Sequence, residues 1–356
     1  MWVNINSSIF SNISYARDVK QLINFAFEGS LDIEKIKIKL FSEYDEIVDS
    51  AVFNELDLVD QELLEEIFKE FYYADNCNIN YSVSEENKNN EKSIFTLEEA
   101  KEFFKESFAI VLENGKNDSH FIKSILYHFD KNIEFYNHAI EKRWIVFDHA
   151  GGCSSVINLI KGKLSPFETL ASKYGANTSK YVRGIVILDS DKKHPLSDEK
   201  ENTKINRKYL EEQNIWLHVL EKRAMENYLP DEVLTSLKSL KSKSRRQADI
   251  NCIKWINVYE NLNNSQKDFL KYEGFDVREF LEHEIDQLFS NVHQTQREIL
   301  SHGISYNNFS LPADEINFKN SFPLLFNDNL VNKKTLLNRS GTNELTQLLS
   351  KIKELL

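Results

Sequence analysis

Up to about residue 75 the apolar positions of the chain recur every three or four residues. Val19, Leu22, Ile23 and Phe25 with Ala26 form one such group, and Leu63, Leu64, Ile67, Phe68 and Phe71 form another. That spacing puts each group on one face of a helix and predicts helices here. The Asn, Ser and Glu cluster from Asn76 to Lys92 reads as a loop or linker. Thr96-Leu97-Glu98-Glu99 has the form of a helix start, with Glu99 placed to close a capping box on Thr96.

Beyond residue 100 the rhythm changes. Phe108 to Leu112, Trp144 to Phe147, Gly184 to Leu188 and Ile215 to Leu220 are short continuous apolar runs. Runs without a polar face suit strands buried on both sides of a parallel sheet. Helical patterns lie between them, at Asp118 to Phe129 and starting at Ser154 to Ile160, and the alternation predicts βαβ units. The expected fold is α/β, with a mainly parallel sheet of about four strands over residues 101–232. Helical regions are expected at 1–100 and 233–356. In such sheets ligands bind beyond the carboxyl ends of the strands. The residues expected there are Glu113 to Asp118, Asp148 to Gly152, Asp189-Ser190-Asp191 and Glu221 to Tyr228.

Composition adds bounds. The 356 residues are 41% hydrophobic and 28% charged, within the range of globular proteins. No apolar run reaches the roughly 18 residues that a transmembrane helix needs, and the N-terminus does not have the form of a secretory signal. Cys77, Cys153 and Cys252 are too scattered for a zinc quartet or a disulfide framework, so a cytoplasmic setting is expected. The net charge of -12 argues against strong non-specific affinity for nucleic acid. Residues 41–71 alone hold eleven acids against Lys69 and contribute -10 of it, leaving -2 for everything else. That acidic segment reads as a solvated helix pair or as a docking face for a basic partner.

The chemistry expected at the strand ends is that of carboxylates. Several acids gathered at one place resist ionising together, and a divalent cation relieves that repulsion. Hard oxygen ligands favour Mg²⁺. Asp189 and Asp191 leave one strand, and Glu113 leaves another. Each has an ordinary alternative: the Asp-x-Asp as a strand end, Glu113 as a solvated loop acid, Asp118 as a helix cap and Glu226 as a partner of Lys222 at i, i+4. Gly151-Gly152 fits a tight turn or a phosphate contact. The run from Lys238 to Arg246 has five bases and no acid. It reads either as a solvated segment or as a phosphate-tracking patch formed with Lys241, Lys243, Arg245 and Arg246.

Val111-Leu112-Glu113, with Gly115 and Asp118, resembles the opening motif of the TOPRIM domain. Gly151-Gly152 resembles its glycine-bearing turn, and Ile187-Leu188-Asp189-Ser190-Asp191 its DxD motif. His218 to Arg223 with Glu226 to Pro230 is similar to the segment that follows in nucleases of the overcoming-lysogenization-defect (OLD) type. The resemblance covers roughly residues 105–232. It implies a Rossmann-like TOPRIM core holding one or two Mg²⁺ or Mn²⁺ ions. It also implies hydrolysis of DNA or RNA, as in effectors of bacterial antiphage defence. Metal binding would fall to Glu113, Asp118, Asp189 and Asp191, with Glu226 joining Glu113, Asp189 and Asp191 as catalytic residues. Gly151, Gly152, Lys222 and Arg223 would be phosphate contacts. Two departures stand out: Asn114 separates Glu113 from Gly115, and Lys193 stands where some members carry a third acid. No Gly-x4-Gly-Lys-[Ser/Thr] occurs, so an ATPase or sensor would be a separate partner. Alternative expectations are a non-catalytic TOPRIM-like module that binds nucleic acid or a partner, a topoisomerase or primase, and a glycosyltransferase.

Overall fold

The computed structural model describes residues 1–74, 78–87, 91–242, 247–275, 279, 282–304 and 318–356, with Lys319 described only in its backbone. Two four-stranded parallel sheets organise it. The first uses β1 (Trp2–Ile5), β2 (Lys39–Phe41), β3 (Tyr81–Val83) and β4 (Ile94–Phe95), in the order β2-β1-β3-β4. The second uses β5 (Phe108–Leu112), β6 (Ile145–His149), β7 (Gly184–Leu188) and β8 (Trp216–Val219), in the order β6-β5-β7-β8. Residues 1–100, read above as helical, therefore also carry a sheet of their own. β3 falls inside the stretch expected to be a linker. Among the described residues no helix is long and apolar enough to cross a membrane.

The second sheet follows from its apolar runs. All five residues of β5 are buried. Alternate side chains point to opposite faces. Ile110, Leu112, Ile185 and Ile187 therefore share a core with the Gly115–Phe129, Asp231–Lys241, Gln247–Glu260 and Glu344–Leu355 helices. Val111, Val186 and Leu188 pack on the other side, with the Val156–Leu164 and Glu201–Glu212 helices. Truncating one such residue, for example Leu112→Ala, costs about 2–5 kcal/mol. β5 and β7 pair closely at Gly184, the first residue of β7: a Cβ there would sit 2.4 Å from the Ala109 carbonyl oxygen.

The strand order places a crevice. The chain leaves β5, forms β6 on one side of it, then returns to form β7 on the other side. Connections therefore diverge above the carboxyl ends of β5 and β7, which is where open α/β sheets bind ligands.

The first sheet is held differently. Only Val3 and Ile5 of β1 are fully buried, and β4 is two residues long. Aromatic packing supports it, with Phe41 and Phe71 stacked at 4.4 Å and Trp2 at 5.4 Å from Phe71. The capping box at Thr96 forms as expected: the Thr96 N–H donates to Glu99 Oε2 at 2.8 Å. Glu99 is fully buried and also accepts from Lys180 Nζ at 2.8 Å and the Tyr181 hydroxyl at 2.7 Å, tying this unit to the chain leading into β7.

Candidate metal centre

Each strand of the second sheet delivers polar residues to the crevice. β5 ends at Glu113. Asn114 then caps the Gly115–Phe129 helix, its side chain accepting from the Asn117 N–H. Asp118 Oδ2 accepts from the Asn114 N–H at 2.8 Å, so it closes the helix start without being the cap residue. A carboxylate in this first turn also complements the helix dipole. Gly115 is required here, because a Cβ would lie 2.8 Å from the Asp148 carbonyl carbon where the helix crosses the end of β6.

β7 is followed directly by Asp189, whose Oδ1 accepts from the Met225 N–H at 3.1 Å. The buried Ser190 hydroxyl donates to the Lys222 carbonyl at 2.7 Å. Asp191 turns the chain with a left-handed φ of +53°, and its N–H donates to the Arg223 carbonyl at 2.8 Å. These bonds lock the DxD loop to the segment leaving β8. That segment is anchored in turn by Glu344 of the last helix. Glu344 accepts from the Glu221 N–H at 2.9 Å, His218 Nε2 at 2.8 Å and the Tyr228 hydroxyl. Asn227 fixes the next turn by donating to the Lys267 and Leu270 carbonyls at 2.8 and 3.0 Å. Glu226 is held between these two anchors, in the Met225–Tyr228 turn.

The result is a cleft of about 470 Å³ lined by Glu113, Asp118, Asp189, Asp191, Glu226 and Glu273. Burial, then Asp191 and Asp118, push the Glu113 carboxyl up to about 7. Burial, then Asp118, Glu273 and Asp191, push Glu226 up to about 7. Asp189 is held well above the usual carboxylate range by burial and by the charges of Glu226, Glu113, Asp118 and Asp191. The acids therefore hinder each other's ionisation, as expected for carboxylates crowded without a counter-charge. Glu113 Oε1 is buried with no hydrogen-bond partner. All the acid donors are hard oxygens, a set that suits Mg²⁺ or Mn²⁺. Among the described residues no three Asp, Glu, His or Cys side chains close on one point as a finished ligand set. Asp191 Oδ2 pairs with Lys200 Nζ at 2.7 Å, so one acid already has a cationic partner.

The other residues named from the sequence divide. Gly151 and Gly152 line the cleft with φ of +78° and +109°, and the Gly151 N–H donates to the Glu113 carbonyl at 3.2 Å. Arg223 also lines it, 7% exposed, with Nη1 buried and unpartnered and its guanidinium 5.5 Å from the Phe275 ring centre. Lys222 must be withdrawn as a phosphate contact: it is buried and paired with Asp268, so it does not reach Glu226 either. Lys241 must be withdrawn too, since it is buried against the carboxylate of Asp249. Lys243, Arg245, Arg246 and Cys77 lie outside the described residues. Glu273 was missed because it reaches the cleft from a separate helical region, 47 residues beyond Glu226. Glu344 was missed because a lone Glu at a helix start carries no signal of the three partners it meets. Compared with known proteins, the chain matches no family model, no curated protein and no solved structure.

Proposed function

We propose that the protein is a divalent-metal-dependent nuclease with a TOPRIM-type core, acting on DNA or RNA, as an effector of bacterial antiphage defence. One observation carries the reading: acids from three separate strand ends converge at the reversal point of a parallel sheet and raise one another's proton affinity. Glu113, Asp118, Asp189 and Asp191 are the residues that would hold Mg²⁺ or Mn²⁺. When bound, the ion supplies an activated water and charge neutralisation for phosphodiester hydrolysis. The protein's own groups do the rest. Glu226, with a proton affinity near neutrality, is suited to move a proton at the attacking or leaving oxygen. Arg223 offers its unpartnered Nη1 to a phosphate oxygen. The Gly151-Gly152 turn leaves room for the backbone of a substrate to approach, since nothing lies within 4 Å of either added Cβ.

The test is cleavage of plasmid, linear duplex, single-stranded DNA and total tRNA with Mg²⁺, Mn²⁺ or EDTA, comparing wild type with Asp189→Ala. Metal-dependent cutting that vanishes in the variant is the expected result. The Asp191–Lys200 pair favours a second reading, a non-catalytic binding module. Binding indifferent to EDTA, with no cutting of any substrate, would support that reading instead.

A further inference from the structure

Two other large concavities were candidates for a ligand. A cavity of about 690 Å³ lies between the two sheets. Its cations are largely spoken for: Lys180 pairs with Glu99, Arg207 with Glu199 and Lys351 with Glu354. The second is an open groove of about 710 Å³ along β6, the outer strand of its sheet, and its Lys and Arg side chains form no ion pair among the described residues. Lys116, His120 and Lys123 line one wall. They are spaced i, i+4, i+7 on the Gly115–Phe129 helix and so form a single stripe. Lys116 and Lys123 are about 10 Å apart along the helix axis. Arg143 lines the groove just before β6, its backbone pinned by its N–H to the Ile140 carbonyl at 3.1 Å and by the Ser107 hydroxyl on its own carbonyl at 2.6 Å.

None of Lys116, Lys123 and Arg143 forms an ion pair among the described residues, whereas the groove's one acid, Asp148, is neutralised by Lys163 at 2.5 Å. In a chain of net charge -12 this is a local reversal of sign. Phe147 adds a half-buried ring, with Lys123 Nζ 5.4 Å from its centre. Cations that can track a backbone beside an aromatic face are the composition of single-strand binding grooves. The groove also adjoins the carboxylate cleft. Glu113 and Asn114 line the cleft and Gly115 and Lys116 line the groove; likewise His149 lines one and Asp148 the other. Their shared rim is the contact of the Gly115 N–H with His149 Nδ1 at 3.3 Å.

We propose that this groove is the track of a nucleic-acid single strand leading into the carboxylate cleft, its phosphates on Lys116, Lys123 and Arg143 and a base on Phe147. The inference rests on the nuclease reading and assigns the substrate path of that same site.

The test uses a fluorescent single-stranded oligothymidylate and its oligouridylate counterpart, with binding measured on the Asp189→Ala background so that nothing is cut. The charge-reversal variant K116E/K123E/R143E is expected to bind about tenfold more weakly or worse, and to lower the log–log salt slope by about 2. In the cutting-competent protein the same changes should raise KM and leave kcat near its starting value. K116Q/K123Q/R143Q repeats the test without introducing acids, and circular dichroism checks that both variants fold. Lys208→Glu, on the exposed side of a helix covering the opposite sheet face, is the control for a charge reversal outside the groove. Wild type that cuts while the folded variants keep full affinity and an unchanged KM overturns the track and spares the nuclease. Wild type that neither cuts nor binds either probe removes both.

Discussion

The two sheets of this protein have the same strand order and the same direction, and differ in what stands at the reversal point. In the first sheet β1 is followed by Asn6, whose N–H donates to the Val83 carbonyl at 2.9 Å and whose side chain caps the Ser7–Phe10 turn. Both of these Asn6 groups have a local use. In the second sheet the same place holds Glu113 and Asp189, acids that oppose each other's ionisation; Asp189 accepts from the Met225 N–H, but neither acid has an ion-pair partner among the described residues. The crevice is thus a property of topology. Its chemistry is a property of the residues placed there, and those residues are less favourable for the metal-free fold than Asn6 is for its own sheet.

The sharpest way to break the comparison is to remove the central acid of one crevice and the cap of the other. Asp189→Ala should reduce cutting more than about a hundredfold while leaving thermal stability unchanged or raised. Asn6→Ala should cost about 1 kcal/mol in chemical denaturation and leave cutting untouched. Loss of cutting in Asn6→Ala would mean that both crevices serve the reaction.

Stability should separate the units next. Gly115→Ala forces a Cβ against the Asp148 backbone and should cost about 1–3 kcal/mol by urea melt. Gly29→Ala, with φ of +70° and open space around it, meets only backbone strain and should cost about 1 kcal/mol.

A smaller effect should appear in pH dependence. Proton affinity is raised in the folded state at Glu113 and Glu226, to about 7, and at Asp189. The folded protein therefore binds more protons than the unfolded chain between about pH 4.5 and 7. This contribution to stability is present at low pH and is lost as pH rises through 7. Without metal, Tm should fall from pH 6 to pH 8. Adding Mg²⁺ should raise Tm by about 5 °C at pH 8 and by less at pH 6. An equal Mg²⁺ effect at both values would count against ion binding by these acids.

The least effect should come from Lys200→Ala. The pair with Asp191 is largely exposed, so its loss should tighten Mg²⁺ binding by no more than about fivefold in calorimetry.

What could be read from the amino acids differs between the units for the same reason. β5 and β7 announce themselves because both of their faces are buried, so nearly every residue is apolar. Asp189 and Asp191 then follow at a strand end that is visible in the pattern. β1 and β3 gave no such signal. Four and three residues long, they mix buried and half-exposed positions, and Tyr81–Val83 sits in a polar stretch. Their register comes from partners far away in the chain. In the basic run from Lys238, Lys238 is paired with Glu260 and Lys241 with the buried Asp249, contacts that spacing along the chain does not reveal. The unpaired Lys116, Lys123 and Arg143 are dispersed along the chain and become a group only when the helix lies along β6.

Asp191 has one more consequence. A backbone with φ of +53° suits glycine better than any side chain, and an aspartate there forgoes about 1 kcal/mol. Any search for heat-resistant variants, whether by directed evolution or by growth at high temperature, would be drawn to Asp191→Gly. It would harvest that substitution as a gain and lose a ligand of the proposed centre with it. Hardiness and activity pull in opposite directions at this single position, so a lineage that keeps the aspartate is one in which the acid itself is being selected.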